Sequence, residues 1–170
     1  MRQLYFVRHG LSEMNKAGLW SGQTETPLAE EGRAQAKAAG EQVSDVGIDH
    51  IIASPFSRTQ DTALIIAQEI GYDPAAIELS SLLIERGLGV LEGQPWQSGI
   101  NMEDFAEVEA LDMLMERVRL AYEHIRSLNA DTVLIVSHGA TGRAFYHLLH
   151  PEVTFHDAPR FPNAEIKRLV

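Results

Sequence analysis

The chain has 170 residues, 45% of them hydrophobic and 22% charged, enough for one apolar core with little room for a second. Its 24 acidic and 14 basic side chains leave a formal charge of -10, the wrong sign for sequence-independent nucleic-acid binding or for attraction to an anionic membrane surface. The absence of cysteine excludes disulfide frameworks, thiolate nucleophiles and cysteine-ligated zinc. No apolar run reaches the roughly 18 residues a bilayer span requires, and the N-terminal stretch meets Arg8 too soon for a signal peptide. These features predict one soluble, cytoplasmic domain over residues 1–170, with neither nucleic acid nor membrane as partner and the oligomeric state open.

In chain order, Leu4–Val7 reads as a strand covered on both faces, because its residues are continuously apolar or aromatic. Leu28–Val46 reads as a helix, with Ala36, Ala39, Val43 and Val46 three and four residues apart and Gly47 as its stop. His50–Ala53 is a second strand. A helix follows over about Phe56–Ile70, with Ser54 as its N-cap, Pro55 at its first position and Gly71 beyond its end. Ile77–Leu79 is a weaker strand. Gly89 to Asp104 has no strong period and suggests a lid-like excursion over about 89–107. Val108, Leu111, Met115, Val118, Tyr122 and Ile125 then mark one stripe of a helix of roughly six turns. Thr132–Val136 is a strand, Gly139 opens a helix that Pro151 blocks, and Glu165–Leu169 is a weak final strand. This alternation predicts a three-layer α/β/α sandwich with a mainly parallel central sheet.

Three strand ends carry chemistry: Val7-Arg8-His9-Gly10, Ala53-Ser54-Pro55 with Arg58 shortly after, and Val136-Ser137-His138-Gly139. Ligands of open α/β sheets sit beyond the carboxyl ends of the strands. Two histidines and two arginines there, beside helix N-termini, predict a cationic pocket suited to phosphate. A single histidine at a strand end is most often satisfied by nearby backbone; coincidence at three ends is what carries the reading. Gly10 and Gly139 suit either close approach to a ligand or a tight turn.

Arg8-His9-Gly10 with Ser12 and Asn15 resembles the signature of the histidine phosphatase superfamily, the phosphoglycerate mutase-like fold, and in particular its small-molecule phosphatases. The likeness continues through Ser21-Gly22, Pro27 to Gly32, Ser54 to Ala63, Leu83 to Gly89 with Glu92-Gly93, and Val136 to Gly139. The resemblance implies phosphoryl transfer through a phosphohistidine on His9, with Arg8, Arg58 and His138 holding the phosphoryl oxygens. Glu85 would protonate the leaving alcohol and then deprotonate water, while Asn15, Ser21 and Gly22 line the substrate side. Neither metal nor cofactor is called for. The sequence departs from the family pattern at Leu11, Gln23 and Ala29, which leaves Thr26 or the backbone to cap the first long helix.

Hydrolases and mutases share this machinery. From Gln94 to Glu116 there is no Lys or Arg, while Glu103, Asp104, Glu107, Glu109, Asp112 and Glu116 are acidic. A mutase resembling this chain would place basic residues there, so hydrolysis of a small phosphorylated metabolite is favoured. The alternatives are a phosphoglycerate mutase, a phosphohistidine-protein phosphatase and a non-catalytic phosphoryl-binding domain. Glu109, Asp112 and Glu116 also suit a solvated helix face. If Glu103 and Asp104 close over the pocket, the rest of the substrate should be neutral or cationic. His147 and His150, three apart on a helix, read as a surface pair before a metal site.

Overall fold

The structure, a computed structural model, describes residues 1–105 and 107–170. In β1 (Gln3–Arg8) successive side chains project to opposite faces of the sheet. Leu4 and Phe6 enter one core together with Ile52 of β2 (His50–Ala53) and Val133 and Ile135 of β4 (Thr132–Ser137). Val7 enters the other with Ile51, Ala53, Leu134 and Val136. Helices α4 (Leu111–Ser127) and α5 (Gly139–Leu149) cover the first face, through Leu114, Val118, Ala121, Ile125, Ala144 and Phe145. On the second face lie α2 (Glu30–Gln42) and α3 (Ser57–Ile70), which contribute Ala39, Ala63, Ile66 and Ala67. The expected three layers form.

The sheet order is β3-β2-β4-β1-β5, with β3 at Glu78–Leu79 and β5 at Ile166–Arg168. Among the strand pairs of the described residues, only β1–β5 is antiparallel. Register sets Arg8 beside Ser137 and Ala53 beside Val136, so the chemistry-bearing ends of β1, β2 and β4 finish side by side.

Several boundaries differ from expectation. Leu28 bridges to Ser12 instead of starting α2, and the chain beyond Gln42 relaxes into turns before Gly47. Ala29 takes the cap position without a side-chain bond; Thr26 is occupied elsewhere, its hydroxyl accepting from the Met14 amide at 3.2 Å. Ser54 does not cap α3. Phe56 stands at that position, and the Ser57 amide is met by the Glu25 carboxylate at 3.2 Å. Val108 falls outside α4 and packs with Leu88 and Leu91, which shortens the helix to 17 residues, or about five turns. A one-turn helix, α1 (Glu13–Lys16), was not legible; the Ser12 hydroxyl accepts from the Asn15 amide at its start.

Within residues 89–104 the chain forms short 3-10 turns at Gly89–Leu91 and Met102–Asp104. The Trp20 amide donates to Gln94 O at 2.9 Å, and the Trp96 amide to Gly18 O at 2.8 Å, tying this segment to the loop after α1. Residue 106 of the anticipated excursion lies outside the described residues.

Candidate active site

His9 follows the last residue of β1, where its amide donates to Ser137 O at 2.9 Å and its carbonyl accepts from Asn163 Nδ2 at 3.0 Å. Its Nδ1 lies 2.7 Å from Gly10 O. A carbonyl oxygen can only accept, so Nδ1 carries the proton and Nε2 keeps its lone pair. Burial, then the charges of Arg8 and Arg58, push the His9 pKa well below the usual histidine value. The ring is therefore neutral at neutral pH.

Around it stand three more nitrogen-bearing groups. Arg58, in the first turn of α3 and fully buried, donates to Thr24 O at 2.9 Å and Gly22 O at 2.7 Å, and its guanidinium lies 4.9 Å over the Phe56 ring. Arg8 donates to Phe161 O at 3.2 Å. His138, at the N-cap of α5, sets its Nε2 2.8 Å from the Ser54 hydroxyl and its ring 5.2 Å from that of His9. Among the described residues, Arg8 Nε, Arg58 Nε and His138 Nδ1 are buried and use no protein partner. An unmet buried donor costs about 1–3 kcal/mol, so three in one neighbourhood suit an anion rich in acceptor oxygens. Burial, then Arg58, also holds the His138 pKa well below normal.

Glu85 closes the cradle from the side of α5. Its carboxylate accepts from the amides of Ala140 and Thr141 at 3.2 Å and from that of Arg86 at 2.9 Å. A Cβ built on Gly139 would lie 3.7 Å from Arg8 Cζ and 3.8 Å from Glu85 Oε2, which places both acid and cation beside one residue. The Glu85 carbonyl accepts from Gln23 Nε2 at 3.0 Å. Arg117 donates to Leu82 O at 3.0 Å and to Ile84 O at 2.7 Å, and pairs with Glu109 at 2.9 Å. The acid is thus fixed through its backbone as well as its carboxylate.

Asn15, Ser21 and Gly22 line the same cavity of about 690 Å³, as do Arg8, His9, Arg58 and Glu85. His138 does not line it; its fully buried ring stands 5.2 Å from that of His9. Gly22 has φ 48°, and a Cβ there would meet Glu92 Oε1 at 2.3 Å. Glu92 accepts from the Gln23 and Leu88 amides and the Thr24 hydroxyl, so it constrains the turn that receives Arg58. Gly10 approaches the backbone of Gly32, not the cavity.

The acidic segment does not act as expected. Neither Glu103 nor Asp104 lines the cavity. Glu103 pairs at 2.7 Å with Arg86, which is 3% exposed, and Asp104 accepts from Asn101 at 2.9 Å. Glu109 is tied to Arg117 and the Gly87 amide, not presented to solvent. Of the chain's 24 acidic residues, Glu85 alone is found on the cavity wall, against Arg8, Arg58, Arg86, Arg143 and Arg160. Long-range pairing has hidden the negative charge that sequence adjacency assigned to a lid, and the expectation of a neutral or cationic head group is corrected accordingly.

Residues 4–170 match the sequence profile of the histidine phosphatase superfamily, branch 1. The chain belongs to that superfamily. It is 37% identical over 154 residues to the Photorhabdus laumondii protein named "Probable phosphoglycerate mutase GpmB", covering 82% of this chain and 70% of the relative. The Escherichia coli protein of the same name is 36% identical with the same coverage. Among solved structures, mycobacterial glucosyl-3-phosphoglycerate phosphatase superposes with a TM-score of 0.85 at 24% identity, covering 99% of this chain and 92% of that one. The Shigella flexneri alpha-ribazole phosphatase gives 0.81 at 22% identity, covering 98% and 89%. These two structural likenesses establish the fold.

Within this superfamily fold, sequence reasoning missed three supporting residues. Ser54 was assigned to a helix cap but faces His138. Asn163 comes from far along the chain to bond His9 O, with no local pattern to announce it. Gln23, a departure from the family pattern, turns out to hold the Glu85 backbone. His147 and His150 have separate engagements: Nδ1 of His147 lies 2.6 Å from Val153 O, and the His150 ring stacks on Tyr146.

Proposed function

We propose that residues 1–170 form a phosphomonoester hydrolase domain that acts on small phosphorylated metabolites through a phosphohistidine on His9. The observation that carries this reading is the neutral His9 ring, with Nε2 unprotonated, set among unpartnered nitrogens of Arg8, Arg58 and His138. In the first step Nε2 forms a bond to phosphorus as the ester P–O bond breaks, and Glu85 gives its proton to the departing oxygen. In the second, water attacks phosphorus, Glu85 takes its proton and the P–N bond breaks, which restores His9 and releases phosphate. Arg8, Arg58 and His138 stabilise the charge on the three equatorial oxygens throughout. The chain's own cations supply that charge, so turnover should persist in EDTA. The Ala140 and Thr141 amides hold Glu85 at one position for both proton transfers.

Two superfamily relatives share the phosphatase name and the curated relatives carry the mutase name. Both chemistries pass through the same phosphoenzyme and differ in what receives the phosphoryl group. The lack of any Lys or Arg between Gln94 and Glu116 favours water over a retained second substrate. A retained Glu85 favours an alcohol leaving group over phosphoimidazole, which departs without protonation.

The test is acid-quench trapping during turnover of a phosphomonoester panel in EDTA. An acid-labile, base-stable phosphoenzyme, absent from His9→Ala, is expected with stoichiometric phosphate release. Equal labelling of His9→Ala would overturn the assignment, and isomerisation of phosphoglycerate outpacing phosphate release would establish the mutase instead.

A further inference from the structure

Glu85 sits on backbone that belongs to no helix or strand, residues 84–88 between the 3-10 turns Ser81–Leu83 and Gly89–Leu91. Where the polar groups of such a stretch leave water, side chains from elsewhere must meet them. The Ser137 hydroxyl donates to Leu83 O at 2.7 Å, the Thr141 hydroxyl to Ile84 O at 2.8 Å and Gln23 Nε2 to Glu85 O at 3.0 Å. Each holds one carbonyl. Arg117 of α4 holds three: Nη1 donates to Leu82 O at 3.0 Å and Ile84 O at 2.7 Å, and Nη2 to Glu85 O at 3.4 Å.

The same guanidinium is itself fixed. Its Nε and Nη2 donate to the two oxygens of Glu109 at 3.1 and 2.9 Å, and the paired side chains are only 15% and 17% exposed. Glu109 in turn accepts from the Gly87 amide at 3.0 Å, and its own amide donates to Gly87 O at 2.8 Å. Arg117 thus grips the chain up to the acid, and Glu109 grips it two residues beyond. Neither residue lines the cavity, so their route to the chemistry runs through Glu85. The Ala140 and Thr141 amides fasten the carboxylate to α5, while the Arg117–Glu109 pair fastens the backbone that carries it to α4.

We propose that Arg117, locked by Glu109, is a positioning residue for both proton transfers of Glu85: to the departing alcohol, and from the water that frees phosphate from His9. This rests on the reading of His9 as phosphoryl acceptor and Glu85 as acid and base. A rigid fork of donors holds several carbonyls at once, which the single ammonium of a lysine does not reproduce. Displacing a catalytic group by about 1 Å through a distant substitution costs up to roughly 10²-fold in rate. The cost should fall only on steps that move a proton through Glu85. Phosphoryl transfer from an aryl ester, whose oxygen leaves unprotonated, should be spared. Attack of water on the phosphohistidine should not.

The experiment separates the two steps by acid-quench trapping, with nitrophenyl phosphate and butyl phosphate as the esters and every rate taken per folded molecule. In Arg117→Gln, decay of the labelled phosphoenzyme after a chase should slow by roughly 10–10²-fold. The kcat/KM for butyl phosphate should fall on the same scale. That for nitrophenyl phosphate, which reports transfer to His9, should change little, so phosphoenzyme should accumulate on the aryl ester. Arg117→Lys should recover part of the decay rate, and Glu109→Gln, which keeps an acceptor for the guanidinium, should be milder still. Should Arg117→Gln fold poorly, these two variants read the same steps. Arg119→Gln, a half-exposed position on α4 paired with Glu116, should leave every rate unchanged. A residue that only stabilises the fold would slow both steps and both esters by one factor. That result, or an unaltered decay rate in the folded variants, would overturn the positioning role. Wild-type protein that turns over with no trappable phosphoenzyme would instead overturn the His9 reading.

Discussion

The Ser54 hydroxyl sits 2.8 Å from Nε2 of His138, and both residues are fully buried. If the hydroxyl donates, the imidazole proton resides on Nδ1, the nitrogen that lacks a protein partner. That tautomer presents an N–H to a phosphoryl oxygen; the other presents a lone pair and repels it. Ser54→Ala should therefore lower kcat by roughly 10–100-fold, the scale of about 1–3 kcal/mol for an unmet buried group. Ser54→Thr, if accommodated, should restore part of the loss. Full activity in Ser54→Ala would show that the hydroxyl has no part in setting the tautomer.

The pH dependence of stability follows from two buried histidines. His9 and His138 have folded-state pKa values well below their unfolded ones, so below about 6.5 the unfolded chain binds more protons. Stability is complete above that value and is lost as the pH falls through the window beneath it. Each histidine contributes a slope of up to about 1.4 kcal/mol per pH unit there. Urea unfolding between pH 7.5 and 5.5 should show this decline, and His138→Asn should flatten it. Catalysis should not show a protonation limb at 6.5 from free His9, because the same burial keeps its Nε2 available. A wild-type unfolding profile as flat as that of the variant would sink the argument.

The strands and the strand-end residues were legible because they depend on local information. Continuous apolar segments report two covered faces, and parallel register then brings Arg8, His9, Arg58 and His138 together without further instruction. What the sequence hid was pairing at a distance. Glu103 meets Arg86 and Glu109 meets Arg117, each removing an acid from the role its neighbours in sequence suggested, and Glu25 meets Ser57 at the start of α3. Ser54 and Asn163 were hidden for the same reason: their partners, His138 and His9, lie just past the ends of strands distant in sequence. Val108 fitted the helical stripe by spacing, yet its burial with Leu88 and Leu91 outside α4 satisfied the same apolar surface another way.

Gly10 offers a test that separates packing from chemistry. A Cβ at this position would lie 2.3 Å from Gly32 O, a backbone atom at the start of α2 that cannot swing aside. Overpacking of this kind costs about 1–3 kcal/mol, so Gly10→Ala should lower Tm by roughly 2–12 °C in a chain of this size. Gly10 O also holds the Nδ1 proton of His9, and its amide donates to Thr62 Oγ1 at 3.1 Å. Movement of this residue should therefore cost activity beyond the fraction unfolded. Gly32→Ala, whose Cβ would meet Leu11 O at 2.1 Å, strains the same contact without holding the His9 proton and should lose stability with less effect on turnover per folded molecule. Equal activity losses at matched stability would assign both effects to packing alone.

Glu85 should matter in proportion to how poorly the leaving group departs. Glu85→Gln keeps a similar shape at the α5 N-terminus but cannot supply the proton, so hydrolysis of alkyl phosphates should fall by about 10²–10⁴-fold. Activated aryl phosphates, whose oxygens leave unprotonated, should fall far less. Gln23→Ala offers the graded case: it removes the 3.0 Å bond to the Glu85 carbonyl but leaves the carboxylate's bonds to Ala140 and Thr141. Its loss should be smaller, yet show the same bias toward alkyl substrates, because a displaced acid is an inefficient one. The measurement is kcat/KM across a series of leaving groups for wild-type, Glu85→Gln and Gln23→Ala proteins. A steeper dependence on leaving-group pKa in both variants is expected. Parallel lines, with every ester slowed equally, would make Glu85 a binding or structural residue and leave the departing oxygen to find its proton elsewhere.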